Sequence, residues 1–156
     1  MWRLLDNTVL SNFAIVKRPD VVLRIWPGQV CSTPGVLQEY QEAALTRHYA
    51  SNNWAELPLL ELTETEVQYM RILPGPLGIG ERECIAVAFH RQGSFVSDDS
   101  HARAVARSRR IGLSGTLGIL VASSDAGILT FNQANALLKQ MIAAGYRSPV
   151  DDLGKI

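Results

Sequence analysis

Only two cysteines, Cys31 and Cys84, occur among the 156 residues, and their separation fits no clustered metal-binding pattern. Free thiols in a reducing compartment are therefore expected rather than a disulfide. An excess of charge of one sign is missing too: Lys+Arg and Asp+Glu are both 15, a formal net charge of zero. No global basic field advertises a nucleic-acid partner, so a polyanion would have to be met by local segregation of charge. Long apolar runs are absent. Asp6 and Asn7 interrupt the apolar opening of Met1 to Leu5, and Leu117–Ala122 is too short to cross a bilayer. Neither a leader nor a membrane span is expected, which points to a soluble, cytoplasmic chain with no membrane partner. Aromatic residues make up 7% and are scattered, unlike the stacking platforms of dedicated single-strand binders. With no internal repeat, low-complexity stretch or dividing linker, residues 1–156 read as one domain.

The remainder is ordinary globular material, 47% hydrophobic and 19% charged, in a chain long enough to bury a core. Short apolar runs alternate with helical patterns. Trp2–Leu5 reads as a buried strand, followed by helices over Thr8–Val16 and Pro19–Ile25, the second stopped by Pro27-Gly28. Val30–Ser32 reads as a second strand, and Thr33-Pro34 supplies an N-cap and first-turn proline for a helix towards Ala50. Leu57–Leu60 suits a short connecting or edge strand, with Pro58 arguing against a central place. Thr63 and Glu66 form a capping-box signal for a helix that stops before Pro74. Then come a helix over Glu81–His90, a strand at Ser94–Ser97, a basic helix over Ser100–Arg110, a strand at Gly112–Ser114, and helices near Leu117–Ser124 and Asn132–Ala144. This alternation predicts an α/β fold: a central parallel sheet with helices on both faces.

In such sheets ligands bind beyond the carboxyl ends of the strands. Asp6 ends the first expected strand and Asp98-Asp99 end the third. Glu39 lies in the helix after the second strand, and Glu81 and Glu83 open another helix. Four separate segments can thus bring acids to one edge, and several carboxylate oxygens are what Mg²⁺ or Mn²⁺ requires. Each acid also has a structural reading. Asp6, Asp98 and Asp99 could cap the helices that follow them, Glu81 and Glu83 could complement a helix dipole, and Glu39 could be a solvated surface residue. Arg103, Arg107 and Arg110 recur at helical spacing after Asp99 and offer guanidinium groups for backbone phosphates, or form a solvated basic face. His48, His90 and His101 have no partner spacing and read as surface or packing residues, and Cys84 as a small core residue.

The order of these motifs resembles the PIN-domain family. Leu5-Asp6-Asn7-Thr8-Val9-Leu10-Ser11 is similar to its first motif, an apolar strand ending in Asp with a small polar residue two places later. Leu77-Gly78-Ile79-Gly80-Glu81-Arg82-Glu83-Cys84-Ile85-Ala86 looks like the Gly-Glu-x-Glu-Ala-Ile segment of one subgroup, with Cys84 in place of the usual Ala. Phe95-Val96-Ser97-Asp98-Asp99 and Gly112-Leu113-Ser114-Gly115-Thr116 follow in the family's order, and Val30–Glu39 joins the likeness. The resemblance implies a single PIN-like nuclease domain and a VapC-like toxin ribonuclease. It implies that Asp6, Glu39, Glu81 and Asp99 are catalytic and hold Mg²⁺ or Mn²⁺, with Asp98 and Glu83 as additional ligands. Asp99 is preferred over Asp98 because it sits two residues after Ser97, as in the family's Thr-x-Asp motif. Thr8 and Ser97, together with Arg103 and Arg107, are then expected to position the substrate.

The chemistry implied is metal-assisted hydrolysis of RNA, with a cognate antitoxin as protein partner and a homodimer as a possible assembly. The alternative is a catalytically silent PIN-like interaction domain. A phosphotransfer receiver fits poorly, because the acidic pair closes a late strand and no Lys follows the last one. A haloacid-type phosphatase requires Asp-x-Asp at the first strand, where Asn7-Thr8 supplies no second Asp.

Overall fold

The computed structural model describes all 156 residues. Four very short strands build the sheet: β1 (Arg3–Leu5), β2 (Val30–Cys31), β3 (Ser94–Val96) and β4 (Gly112–Ser114). They lie in the order β2-β1-β3-β4 and every pairing is parallel, with Arg3 opposite Val30 and Ser94, and Ser94 opposite Gly112. Leu4, Leu5, Phe95 and Val96 are fully buried, as apolar strands in the middle of a two-sided parallel sheet must be. The α/β class with a central parallel sheet is as the alternating pattern predicts.

Eight helices cover the sheet: α1 (Asn7–Ile15), α2 (Pro19–Ile25), α3 (Pro34–Arg47), α4 (Glu64–Ile72), α5 (Ile79–His90), α6 (Ser100–Ser108), α7 (Thr116–Asp125) and α8 (Phe131–Ala143). The strand order assigns them to layers. From β1 the chain steps outward to β2, then crosses back past β1 to reach β3. Right-handed crossovers that step in opposite directions place their helices on opposite faces. Accordingly α2 and α8 pack on α1 and α7, while α3 and α4 pack on α5, which lies against β1 and β3; α1 and α3 also touch each other. The reversal of direction at β1 leaves a crevice between the ends of β1 and β3, where the flanking loops diverge.

Several boundaries differ from the expected ones. Leu57–Leu60 is not a strand: a single parallel bridge joins Leu59 to Ser32, with the Pro58 carbonyl accepting from the Ser32 N–H at 2.9 Å. Helix α3 stops at Arg47 because His48 turns into the left-handed region (φ 59), so the helix falls short of Ala50. Helix α6 ends at Ser108, leaving Arg110 beyond it with φ 60. Arg110 therefore does not share the face of Arg103 and Arg107. No helix is long and apolar enough to cross a membrane.

The helix that carries Glu81 and Glu83 is anchored by a partly buried ion pair. Glu66 closes the capping box of α4 with Thr63, and its carboxylate also accepts from Arg91, just past α5, at 2.8 Å. Burial pushes the Glu66 carboxyl up, but the Arg91 guanidinium and the Thr63 N–H outweigh it and hold the pKa below its usual value. A lowered carboxyl pKa contributes stability above the unfolded value, lost as pH falls through the folded one. Arg91→Ala should therefore cost about 1–3 kcal/mol at pH 7, as stranding a buried charged group does. The deficit should shrink as the pH falls below about 4.5. Urea melts of both proteins at pH 7 and pH 3.5 check this; a deficit that does not depend on pH would assign the loss to packing.

Candidate active site

The crevice between β1 and β3 is organised around one buried carboxylate. Asp6 follows β1, caps α1 and is 1% exposed. Its Oδ1 accepts from the Thr8 N–H at 3.0 Å, the Val9 N–H at 3.4 Å and the Thr8 hydroxyl, while its Oδ2 accepts from the Ser97 hydroxyl. Both hydroxyls also reach the end of β3. Thr8 Oγ1 accepts from the Asp98 N–H at 2.9 Å and Ser97 Oγ accepts from the Asp99 N–H at 3.1 Å. Two small polar side chains thus stitch the ends of neighbouring strands together through Asp6. Burial raises the Asp6 carboxyl to about 7; the hydrogen bonds from Ser97 and Thr8 oppose the shift and the nearby Asp98 charge adds to it.

Asp98 and Asp99 leave the strand in opposite directions, as neighbours on an extended chain do. Asp98 turns to α7, whose own N-cap, Gly115, has no side chain to offer. Asp98 Oδ1 accepts from the Thr116 N–H at 2.9 Å, and Oδ2 accepts from the Thr116 hydroxyl at 2.5 Å and Asn12 Nδ2 at 3.1 Å. Both its oxygens are engaged. Asp99 caps α6, with Oδ1 accepting from the Ala102 N–H at 2.8 Å and Oδ2 without a protein donor. The sequence pattern gives no role to Asn12, and Thr116 enters it only as the end of the motif Gly112–Thr116. Thr116 closes the Gly-rich stretch after β4, and a helix start without a capping side chain was the available signal.

The glutamates come from a reciprocal pair of helix starts. Glu39 of α3 accepts from the Gly80 N–H at the start of α5 at 2.9 Å, and Glu83 of α5 accepts from the Gly35 N–H at the start of α3 at 2.8 Å. Each helix dipole is met by an acid of the other helix. The glycines permit the approach: a Cβ on Gly80 would lie 2.9 Å from Glu39 Oε2, and one on Gly35 would lie 2.5 Å from Glu83 Oε1. Glu81 completes its own cap, accepting from the Gly78 N–H at 3.2 Å. Burial raises the Glu81 pKa, followed by the charge of Asp99, and the charge of Glu39 also adds to the rise. Glu81 therefore feels the charges of both Asp99 and Glu39, whereas Glu83 is drawn to α3.

No three His, Cys, Asp or Glu side chains stand together as a ready-made metal group. The chemistry of the donor set nevertheless fits a hard dication. Glu39, Glu81 and Asp99 each spend one oxygen on a backbone N–H and leave the other without a donor. Repulsion of Glu81 by Asp99 and Glu39 is what a cation relieves.

Beside Asp98 and Asp99 opens a cleft of about 720 Å³, bordered also by Thr8, Asn12, Arg47 and Arg147. Arg103 serves the backbone, its Nη1 donating to the carbonyls of Ser97 at 2.7 Å and Ser114 at 2.8 Å. Arg107 is exposed on α6. His48 caps α3, His90 Nδ1 donates to the Ala86 carbonyl at 2.9 Å, and His101 is exposed on α6. Cys84 is buried in the core, as expected.

Residues 3–156 match the family model described as PIN domain. No curated protein and no solved structure matches the chain.

The state of Asp6 yields a test. A raised carboxyl pKa means that ionisation opposes folding. Stability is fullest below the unfolded value of 3.8 and is lost as the pH rises through about 7. Asp6→Asn keeps an acceptor for the Thr8 N–H and removes the charge. In EDTA the variant should melt several degrees above wild type at pH 8, and the gain should vanish towards pH 4. A variant that melts below wild type at pH 8 would show that the charged cap outweighs its burial.

Proposed function

The chain belongs to the PIN-domain family, whose fold is nuclease-like, and on that premise we propose that it is a Mg²⁺- or Mn²⁺-dependent endoribonuclease. What supports this reading is the coupling of Glu81 to the charges of Asp99 and Glu39, together with the Ser97 hydroxyl that ties the Asp99 N–H to the buried Asp6 where the strand order reverses. The free oxygens of Glu39, Glu81 and Asp99 would hold the cation, with Asp6 behind them and Asp98 and Glu83 as supporting acids. Bound there, a dication neutralises charge on the phosphate and acidifies a water molecule.

The chain's own groups supply the rest. Hydrolysis joins a water oxygen to phosphorus and releases the ester oxygen; the water gives up its proton to solvent, and the leaving oxygen takes one from solvent. Asp6 keeps the Thr8 and Ser97 hydroxyls fixed at the strand ends, so the backbone of Asp98 and Asp99 cannot drift. Arg47 and Arg147 border the adjoining cleft and would meet backbone phosphates, as would the exposed Arg107 of α6. Arg103 supports this edge by holding Ser97 and Ser114.

Within the family the motif order favours a VapC-like toxin, acting in the cytoplasm and held by a cognate antitoxin. Exposed Leu45, Ile72, Ile79 and Phe89 offer apolar area to such a partner or to a second copy. The second reading is a silent PIN-like interaction domain. It is favoured by the fact that each of these acids caps a helix or closes a turn.

With Mn²⁺ and mixed RNA, the wild type should cleave and EDTA should stop it. Asp99→Asn retains the cap of α6 while removing a ligand charge, so cleavage should fall by at least about a hundredfold, with Asp6→Asn behaving alike. Glu83→Gln should cost less. Gel-resolved cleavage rates decide: an Asp99→Asn protein that cuts at the wild-type rate sinks the nuclease site, and a wild type that never cuts favours the silent domain.

A further inference from the structure

The amino-terminal edge of the sheet, roughly 10 Å from the carboxylates along three-residue strands, carries the opposite charge. There the turns from α5 to β3 and from α6 to β4 repeat one geometry. Each helix is followed by a residue of positive φ, Gln92 (φ 54) and Arg110 (φ 60). The next N–H closes the turn, Gly93 donating to Ala88 at 2.9 Å and Ile111 to Ala106 at 3.1 Å. Helix ends of this kind favour glycine. Here the two positions carry long polar side chains at the rim of the same cleft.

That cleft measures about 530 Å³ and is bordered by Arg3, Phe89, Gln92, Ser94, Arg109 and Arg110, with no Asp or Glu among its lining residues. Two of the guanidinium groups are held in place. Arg3 sits 4.3 Å from the Trp26 ring centre and donates to Gln29 at 3.2 Å. Arg109 lies 5.7 Å from the ring of Tyr69, which itself stacks on Phe89 at 4.6 Å. Phe89 remains 43% exposed. Ser94 is only 7% exposed, and its hydroxyl is the one buried side-chain polar atom of the fold with no hydrogen-bond partner. A buried polar group left unpaired is costly, so it points to a ligand that pairs with it.

We propose that this cleft binds a nucleoside phosphate, its phosphate against Arg109, Arg110 and the Ser94 hydroxyl and its base against Phe89. Three guanidinium groups without a counter-charge select an anion, and their forked donors match phosphate oxygens. The volume suits a ligand of nucleotide size. The site lies apart from the carboxylate cluster and does not depend on the nuclease reading.

The test is an NMR titration of the full chain with AMP, in EDTA and low salt, where the metal-free carboxylate edge repels anions. AMP should shift the amide resonances of Gln92, Gly93, Ile111 and Gly112, and adenosine should bind at least tenfold more weakly. The double variant Ser94→Ala/Arg110→Gly should lose at least tenfold in AMP affinity. Without ligand it should melt at or above the wild-type temperature, because one change deletes an unpaired hydroxyl and the other puts glycine where the backbone favours it. Adenosine binding as tightly as AMP overturns the proposal. So does a double variant that binds AMP like wild type, or shifts confined to Thr8, Asp98 and Asp99.

Discussion

The carboxylate of Asp6 is the interaction on which the rest depends. Strands of two and three residues bring few ladder hydrogen bonds, so the sheet's edge must be secured by something other than backbone pairing. Asp6 does so by gathering two amides and two hydroxyls, and those hydroxyls in turn take the N–H groups of Asp98 and Asp99. The cost is a buried acid whose pKa is pushed up to about 7. A stable fold would sooner place an amide there. Retention of the carboxylate at the centre of the edge is a local conflict of the kind that functional sites tolerate.

From this anchor the other acids take their places by helix geometry. Asp99 starts α6 and Asp98 starts α7 from outside the helix, while Glu39 and Glu83 exchange helix starts between α3 and α5. A helix N-terminus attracts negative charge, so several N-termini opening on one edge collect acids there. The same geometry leaves one oxygen of Glu39, Glu81 and Asp99 free. Capping and metal binding are thus compatible uses of one carboxylate, each taking one oxygen. The zero net charge of the chain conceals a polar molecule, with acids at the carboxyl edge of the sheet and Arg3, Arg109 and Arg110 at the other.

The alternation of strands and helices, the parallel class and the fall of Asp6, Asp98 and Asp99 at strand ends were all legible along the chain, because period, caps and breakers are local signals. The motif order also pointed to the family that matches residues 3–156. What was not legible was orientation. Adjacent Asp98 and Asp99 look equivalent as letters, yet the pleat sends one to Thr116 and Asn12 and the other to Ala102. Arg103 and Arg107 share a helical spacing, but only Arg103 reaches the carbonyls of Ser97 and Ser114. Leu57–Leu60 has strand-like composition, and one bridge to Ser32 is all the pairing it makes.

The sequence by itself determined which elements form, and that acids would follow the strands, since both are set by residues a few positions apart. Only the tertiary structure decided which carboxylate oxygens are spent and which are free. That depends on donors far away in the chain: Ser97 is 91 residues from Asp6, Asp98 is 86 from Asn12, and Gly35 is 48 from Glu83. Such partners meet only once the crossover past β1 has brought the ends of β1 and β3 side by side.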